Sequence, residues 1–156
     1  MKHLKRIGLT AALLVTLVAG FGVAPASAAP PTNDCTGTFV AHYTSGGGGF
    51  AELDLYWNAT LKMNCAKMVH LGAAYHQPAY TSIDIWTCGT DVAGQPCGPI
   101  SDNPPYHGEN SGTFGIFAGP AWANGSGHCI YAVGLLTWGG HNYVIATAPN
   151  GTGSHC

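Results

Sequence analysis

Phe50-Ala51-Glu52-Leu53-Asp54-Leu55-Tyr56-Trp57 alternates without a break. Ala51, Leu53, Leu55 and Trp57 fall on one side, and Glu52, Asp54 and Tyr56 on the other. That two-residue period belongs to a strand with one buried and one wet face. The flanking chain repeats the pattern. Upstream, Thr38 to Thr44 brings Phe39, Ala41 and Tyr43 together. Downstream, Asn64 to Leu71 and Tyr80 to Cys88 read as strands, the latter with Ile83 and Ile85 turned inward. Gly46 to Gly49 is a flexible turn; no helix or lysine follows it, so it is not a phosphate loop.

Further along, residues 89 to 111 are cut by glycine and proline and show little periodicity, which predicts a long loop. Thr113 to Ala118 resumes a strand that Gly119-Pro120 is expected to stop. His128 to Trp138 is a long strand rich in Val, Leu and aromatics, and Gly139-Gly140-His141-Asn142 turns it back into Tyr143 to Ala148. About seven strands with many turns predict an all-β domain, a β-sandwich or a flattened barrel. No internal repeat is evident.

The N-terminal 28 residues have a different character. Lys2, Lys5 and Arg6 precede an apolar run from Ile7 to Val23, and Ala26-Ser27-Ala28 supplies small residues for cleavage. This predicts a secretory signal peptide over 1–28 and a single domain over 29–156 beginning at Ala29. No second run of about 18 apolar residues follows, so no membrane insertion is expected after cleavage. All six cysteines lie beyond the signal, which predicts three disulfides in an oxidising compartment. Cys88 and Cys97 flank a Gly/Pro turn and are expected to bridge locally. The pairing of the other four stays open, since six cysteines allow 15 connectivities.

Residues 29–156 hold two lysines, Lys62 and Lys67, and no arginine against seven acids, a formal net charge of −5. Without arginine there is no bidentate grip on phosphate, and the net charge repels polyanions. Nucleic acid and anionic membranes are therefore poor partners on electrostatic grounds, and no nucleic-acid partner is expected.

Two further stretches carry a likeness. One is Leu55-Tyr56-Trp57-Asn58 followed by Asn64-Cys65. The other is the aromatic strand from Gly112, then Ala118-Gly119-Pro120 and Gly127-His128-Cys129-Ile130. Together they resemble the spore-associated protein A family of secreted actinobacterial proteins, over residues 35 to 135 with gaps. Trp57 interrupts the tyrosine-asparagine pair of that family, and the Cys88–Cys97 loop and the tail after 139 are additions to it. The resemblance implies a location at a spore or hyphal surface rather than a reaction. It also implies a Cys65–Cys129 bridge, which leaves Cys35 and Cys156 for each other.

Motifs for chemistry are sparse. Seven histidines lack metal-site spacing: no pair lies at i, i+2 within a strand, and His70 and His76 are separated by a turn. No metal or cofactor is expected. No GxSxG occurs, and each cysteine is expected to be paired, which argues against a serine or cysteine nucleophile. Glu52 and Asp54, about 7 Å apart along one strand face, have the spacing of an inverting glycosidase pair and equally of any solvated strand. Asn58-Ala59-Thr60, Asn124-Gly125-Ser126 and Asn150-Gly151-Thr152 read as turns. Fifteen aromatics in 128 residues are a stronger signal. Trp57 is in phase with Leu53 and Leu55 and is expected in the core. Trp122 lies in a glycine-rich segment and is the candidate ligand-binding residue. The chain thus reads as a secreted protein that binds or coats a spore or cell-wall surface without catalysis. A carbohydrate-binding module and a small secreted hydrolase are the alternatives.

Overall fold

The structure, a computed structural model, describes residues 34–156. The signal segment and the start of the mature chain lie outside the described residues. Eight strands form two antiparallel sheets: β1 (Thr38–Tyr43), β2 (Ala51–Asn58), β3 (Met63–His70), β4 (Ala79–Thr87), β5 (His107–Phe114), β6 (Phe117–Asn124), β7 (Ile130–Trp138) and β8 (His141–Ala146). One sheet has the order β1-β2-β3-β6 and the other β5-β4-β7-β8. They pack face to face as an all-β sandwich. Among the described residues no helix is long and apolar enough to cross a membrane.

The alternation in β2 is realised as read. Ala51, Leu53 and Leu55 are buried, while Glu52, Asp54 and Tyr56 face outward. β4 alternates in the same way, burying Ala79, Thr81, Ile83, Ile85 and Thr87. Leu53, Leu55 and Met68 of one sheet meet Ile83, Ile85, Leu136 and Ile145 of the other in one core. Full burial of each such side chain contributes about 1.5–3 kcal/mol. Gly134 sits opposite Met68; a Cβ there would lie 2.6 Å from its sulfur, so the glycine makes room for the thioether.

Two strands depart from the sequence reading. The long loop ends early, because His107–Phe114 is β5. Its inward positions are Gly108, Asn110, Gly112 and Phe114, of which only the last is apolar, so no hydrophobic period shows. Gly108 and Asn110 are small or polar because β5 runs against β6. A Cβ on Gly108 would lie 2.6 Å from the Trp122 nitrogen, and Asn110 Oδ1 accepts the Gly119 N–H at 3.1 Å. β6 in turn continues through Gly119-Pro120. The proline is tolerated because β6 is the sheet edge, and the ladder to β3 shifts register between Ala66 and Met68, beside Gly119.

The disulfides also correct an expectation. Cys88–Cys97 forms as the turn predicts, but the others are Cys35–Cys65 and Cys129–Cys156. Cys65, in register with outward Tyr56, lies on the outer face of the first sheet. Cys129 precedes β7 in the other sheet. The core stands between them, so a Cys65–Cys129 bridge is geometrically impossible without unfolding one sheet. Three bridges closing surface segments fit an oxidising compartment.

Candidate functional site

Cross-strand neighbours in an antiparallel sheet share a face, so register alone lays out the outer surface of β5-β4-β7-β8. Trp86 lies between His107 of β5 and Tyr131 of β7. Asp84 lies between Glu109 and Val133, Ser82 between Ser111 and Leu135, and Tyr80 between Thr113 and Thr137. β8 extends the face with Val144 beside Leu135 and Asn142 beside Thr137. The result is a face with an aromatic row at one end, a pair of carboxylates next to it, and hydroxyls and exposed apolar groups beyond.

The aromatic row is ordered. His107 and Trp86 stack with centroids 4.8 Å apart and planes 7° apart, and Tyr131 continues the stack at 6.1 Å and 23°. Trp86 and Tyr131 pack on the cluster of Cys88, Cys97 and Cys129, so two disulfides back the row. At the far end Tyr80 is 48% exposed and Val144 53%. Six residues separate Trp86 from Tyr80, roughly 20 Å of strand. Asp84 is half-buried; burial pushes its carboxyl above the usual range, and the adjacent His107 pulls it back only in part. No lysine or arginine lies on β4, β5, β7 or β8.

The outer face of the other sheet is ionic. Lys67 Nζ bonds Asp34 Oδ1 at 3.1 Å and sits 5.1 Å from the ring centres of both Tyr56 and Phe117. Glu52 and Asp54 share this face. Burial raises the pKa of both; Asp54 raises that of Glu52 further, and Lys67 opposes the shift on Asp54. The pair projects from the outer face of β2.

The tryptophans exchange their expected places. Trp122 is 6% exposed. It is in register with Cys65, beside the Cys35–Cys65 bridge, and its indole N–H has no partner among the described residues. A buried indole cannot stack on a ligand, so Trp122 is no binding platform. Two glycines of its segment pack close to the first sheet: a Cβ on Gly119 would crowd Ala66 and Lys67, and one on Gly125 would meet Asn64. Trp57 is half-buried instead. It lines a cavity of about 340 Å³ at the end of the sandwich with Val40, Asn64, Gly125, His155 and Cys156. The lining has no acidic side chain. The C-terminal tail closes this end: Ser154 pairs with Ile130, and His155 Nε2 contacts the Tyr43 hydroxyl.

His70 and His76 do not meet. His70 is fully buried, its Nε2 2.6 Å from the Thr81 hydroxyl. His76 is exposed in the following turn. The sequons at Asn58 and Asn124 are turns as expected, with Oδ1 accepting the N–H of Leu61 and Ser126 respectively. The row of His107, Trp86 and Tyr131 was not singled out in the sequence. The outward phase of Trp86 in Tyr80 to Cys88 was its only signal. No family model, no curated protein and no solved structure matches the chain.

Proposed function

We propose that this is an extracellular binding protein that acts without catalysis and attaches through the outer face of β5-β4-β7-β8 to a surface polysaccharide. The observation that carries the reading is the disulfide-backed stack of His107, Trp86 and Tyr131 beside a run of carboxylates and hydroxyls. Sugar rings present apolar C–H faces and hydroxyl rims. An immobilised aromatic row offers apolar area at little entropic cost, and Asp84, Glu109, Ser82 and Ser111 offer acceptors and donors next to it. Charge narrows the ligand. A formal net charge of −5 over residues 29–156, with two carboxylates on this face, favours neutral or amino-bearing glycans over anionic wall polymers.

The resemblance to the spore-associated protein A family supports a spore or hyphal surface as the setting. Three disulfides agree with an extracellular setting. The hydrolase alternative has less support, because Glu52 and Asp54 stand apart from the cavity lined by Trp57, Asn64 and His155. Affinity electrophoresis through gels containing a neutral glucan, chitosan or an anionic wall polymer tests the reading. Retardation by one of the first two, lost in Trp86→Ala, is expected. Free migration in all three gels, or retention that Trp86→Ala leaves intact, would count against this face.

A further inference from the structure

We infer that Asp84, His107 and Glu109 form a binding site for a divalent transition-metal ion of the zinc class. Nothing in this inference requires the glycan reading. Asp84 and Glu109 are direct cross-strand partners, and His107, two residues before Glu109, projects from the same face of β5. One donor atom from each lies within 4.8 Å of the others. Two carboxylates placed side by side call for a cation, and the four strands of this sheet supply no lysine or arginine.

The histidine is prepared for the role. Its Nδ1 lies 3.2 Å from the Asp102 carbonyl oxygen, an acceptor only, so Nδ1 carries the proton. The ring is further fixed by its stack on Trp86. Such an outer bond orients a metal-ligating imidazole and directs the lone pair of the other nitrogen. Here that nitrogen, Nε2, faces Asp84 Oδ1 at 3.4 Å. In that arrangement a shared proton or a bound metal ion must lie between the two lone pairs. Zinc–nitrogen and zinc–oxygen bonds of about 2.0–2.2 Å at a tetrahedral angle set their donor atoms roughly 3.4 Å apart. Glu109 is exposed and free to close the third side by a change of rotamer. One imidazole with two carboxylates suits zinc or its first-row neighbours; calcium and magnesium prefer six or more oxygens. Three protein ligands leave a coordination position open toward solvent.

Calorimetric titration of chelator-treated protein with Zn²⁺, and with Co²⁺ to read its visible absorption, tests the site. We expect one saturable site per chain, weakened at least tenfold in both His107→Ala and Glu109→Gln. It should be unchanged in His141→Ala, an exposed histidine at the far end of the sheet. Millimolar Ca²⁺ should not compete. Glu109→Gln alters an exposed side chain, so it remains a folded test even if His107→Ala loosens the Trp86 stack. Lack of saturable binding, or binding that survives Glu109→Gln unchanged, overturns the inference.

Discussion

Replacing Trp122 by alanine removes an indole that is 6% exposed and paired in register with disulfide-bonded Cys65. Buried Trp→Ala changes cost about 3–5 kcal/mol through lost transfer energy and the cavity left behind. One feature offsets part of that loss. The buried Nε1–H has no acceptor among the described residues, and an unmet buried donor already burdens the native state by about 1–3 kcal/mol. The net cost should therefore fall near the low end, about 3 kcal/mol. For a domain of this size that is a drop in Tm of about 12 °C. Trp122→Phe keeps most of the apolar volume and discards the orphaned N–H, so it should stay within about 1 kcal/mol of wild type. Urea denaturation followed by circular dichroism measures both differences. Binding to polysaccharide should be the same in Trp122→Ala and wild type below the melting transition. A loss under 0.5 kcal/mol for Trp122→Ala would mean that the indole is not buried. Equal losses for alanine and phenylalanine would refute the role given to the unpaired N–H.

Two further predictions concern the frame of the sandwich. Gly108→Ala should destabilise by about 3 kcal/mol or more, the upper end for overpacking, because its Cβ would meet the Trp122 backbone and not a yielding side chain; a Tm near that of wild type would show that β5 and β6 can separate cheaply. His70 gives a pH dependence. Burial holds its pKa below the ordinary 6.5, so the folded ring stays neutral while the unfolded chain gains a proton. Its contribution is complete above pH 6.5 and declines as pH falls toward the folded value. Glu52, Asp54 and Asp84 act in the opposite sense: with raised pKa values, they add stability on acidification through their own range. His70→Leu should therefore flatten the loss just below pH 6.5 in denaturation series at stepped pH, whereas an unchanged slope would assign that loss elsewhere.

How far the fold can be read in the chain depends on what each strand buries. β2 and β4 bury Leu53, Leu55, Ile83 and Ile85 between outward polar residues, and the period shows directly; β7, which buries Ile130, Ala132, Gly134 and Leu136, is legible from its β-branched and aromatic content instead. β5 shows no such period, because Gly108 and Asn110 face the close approach of β6. β6 hides behind Gly119-Pro120, which a sheet edge tolerates and a central strand would not. Missing these two strands misplaces Trp122, which β6 holds in register with Cys65 beside the Cys35–Cys65 bridge. The pairing of Cys35 with Cys65 is likewise a property of register: strand pattern alone does not say which outer face each cysteine occupies. The same holds for the candidate site. Trp86 is legible as an outward aromatic of β4. Its neighbours His107, Glu109 and Tyr131 come from strands up to 45 residues away in the chain, and only the β4–β5 and β4–β7 registers bring them together.

The central claim, attachment through the face that carries Trp86, is most directly tested by the indole N–H signals of Trp57, Trp86, Trp122 and Trp138 in a ¹H–¹⁵N spectrum. The protein would be titrated with soluble fragments of a neutral or amino-bearing glycan that retains it on a gel. A saturable shift of the Trp86 signal alone is expected, while Trp122 buried beside the Cys35–Cys65 bridge, Trp138 against the core and Trp57 at the end cavity hold their positions. A shift confined to Trp57, with Trp86 unmoved, would contradict it and move the ligand to the end of the sandwich.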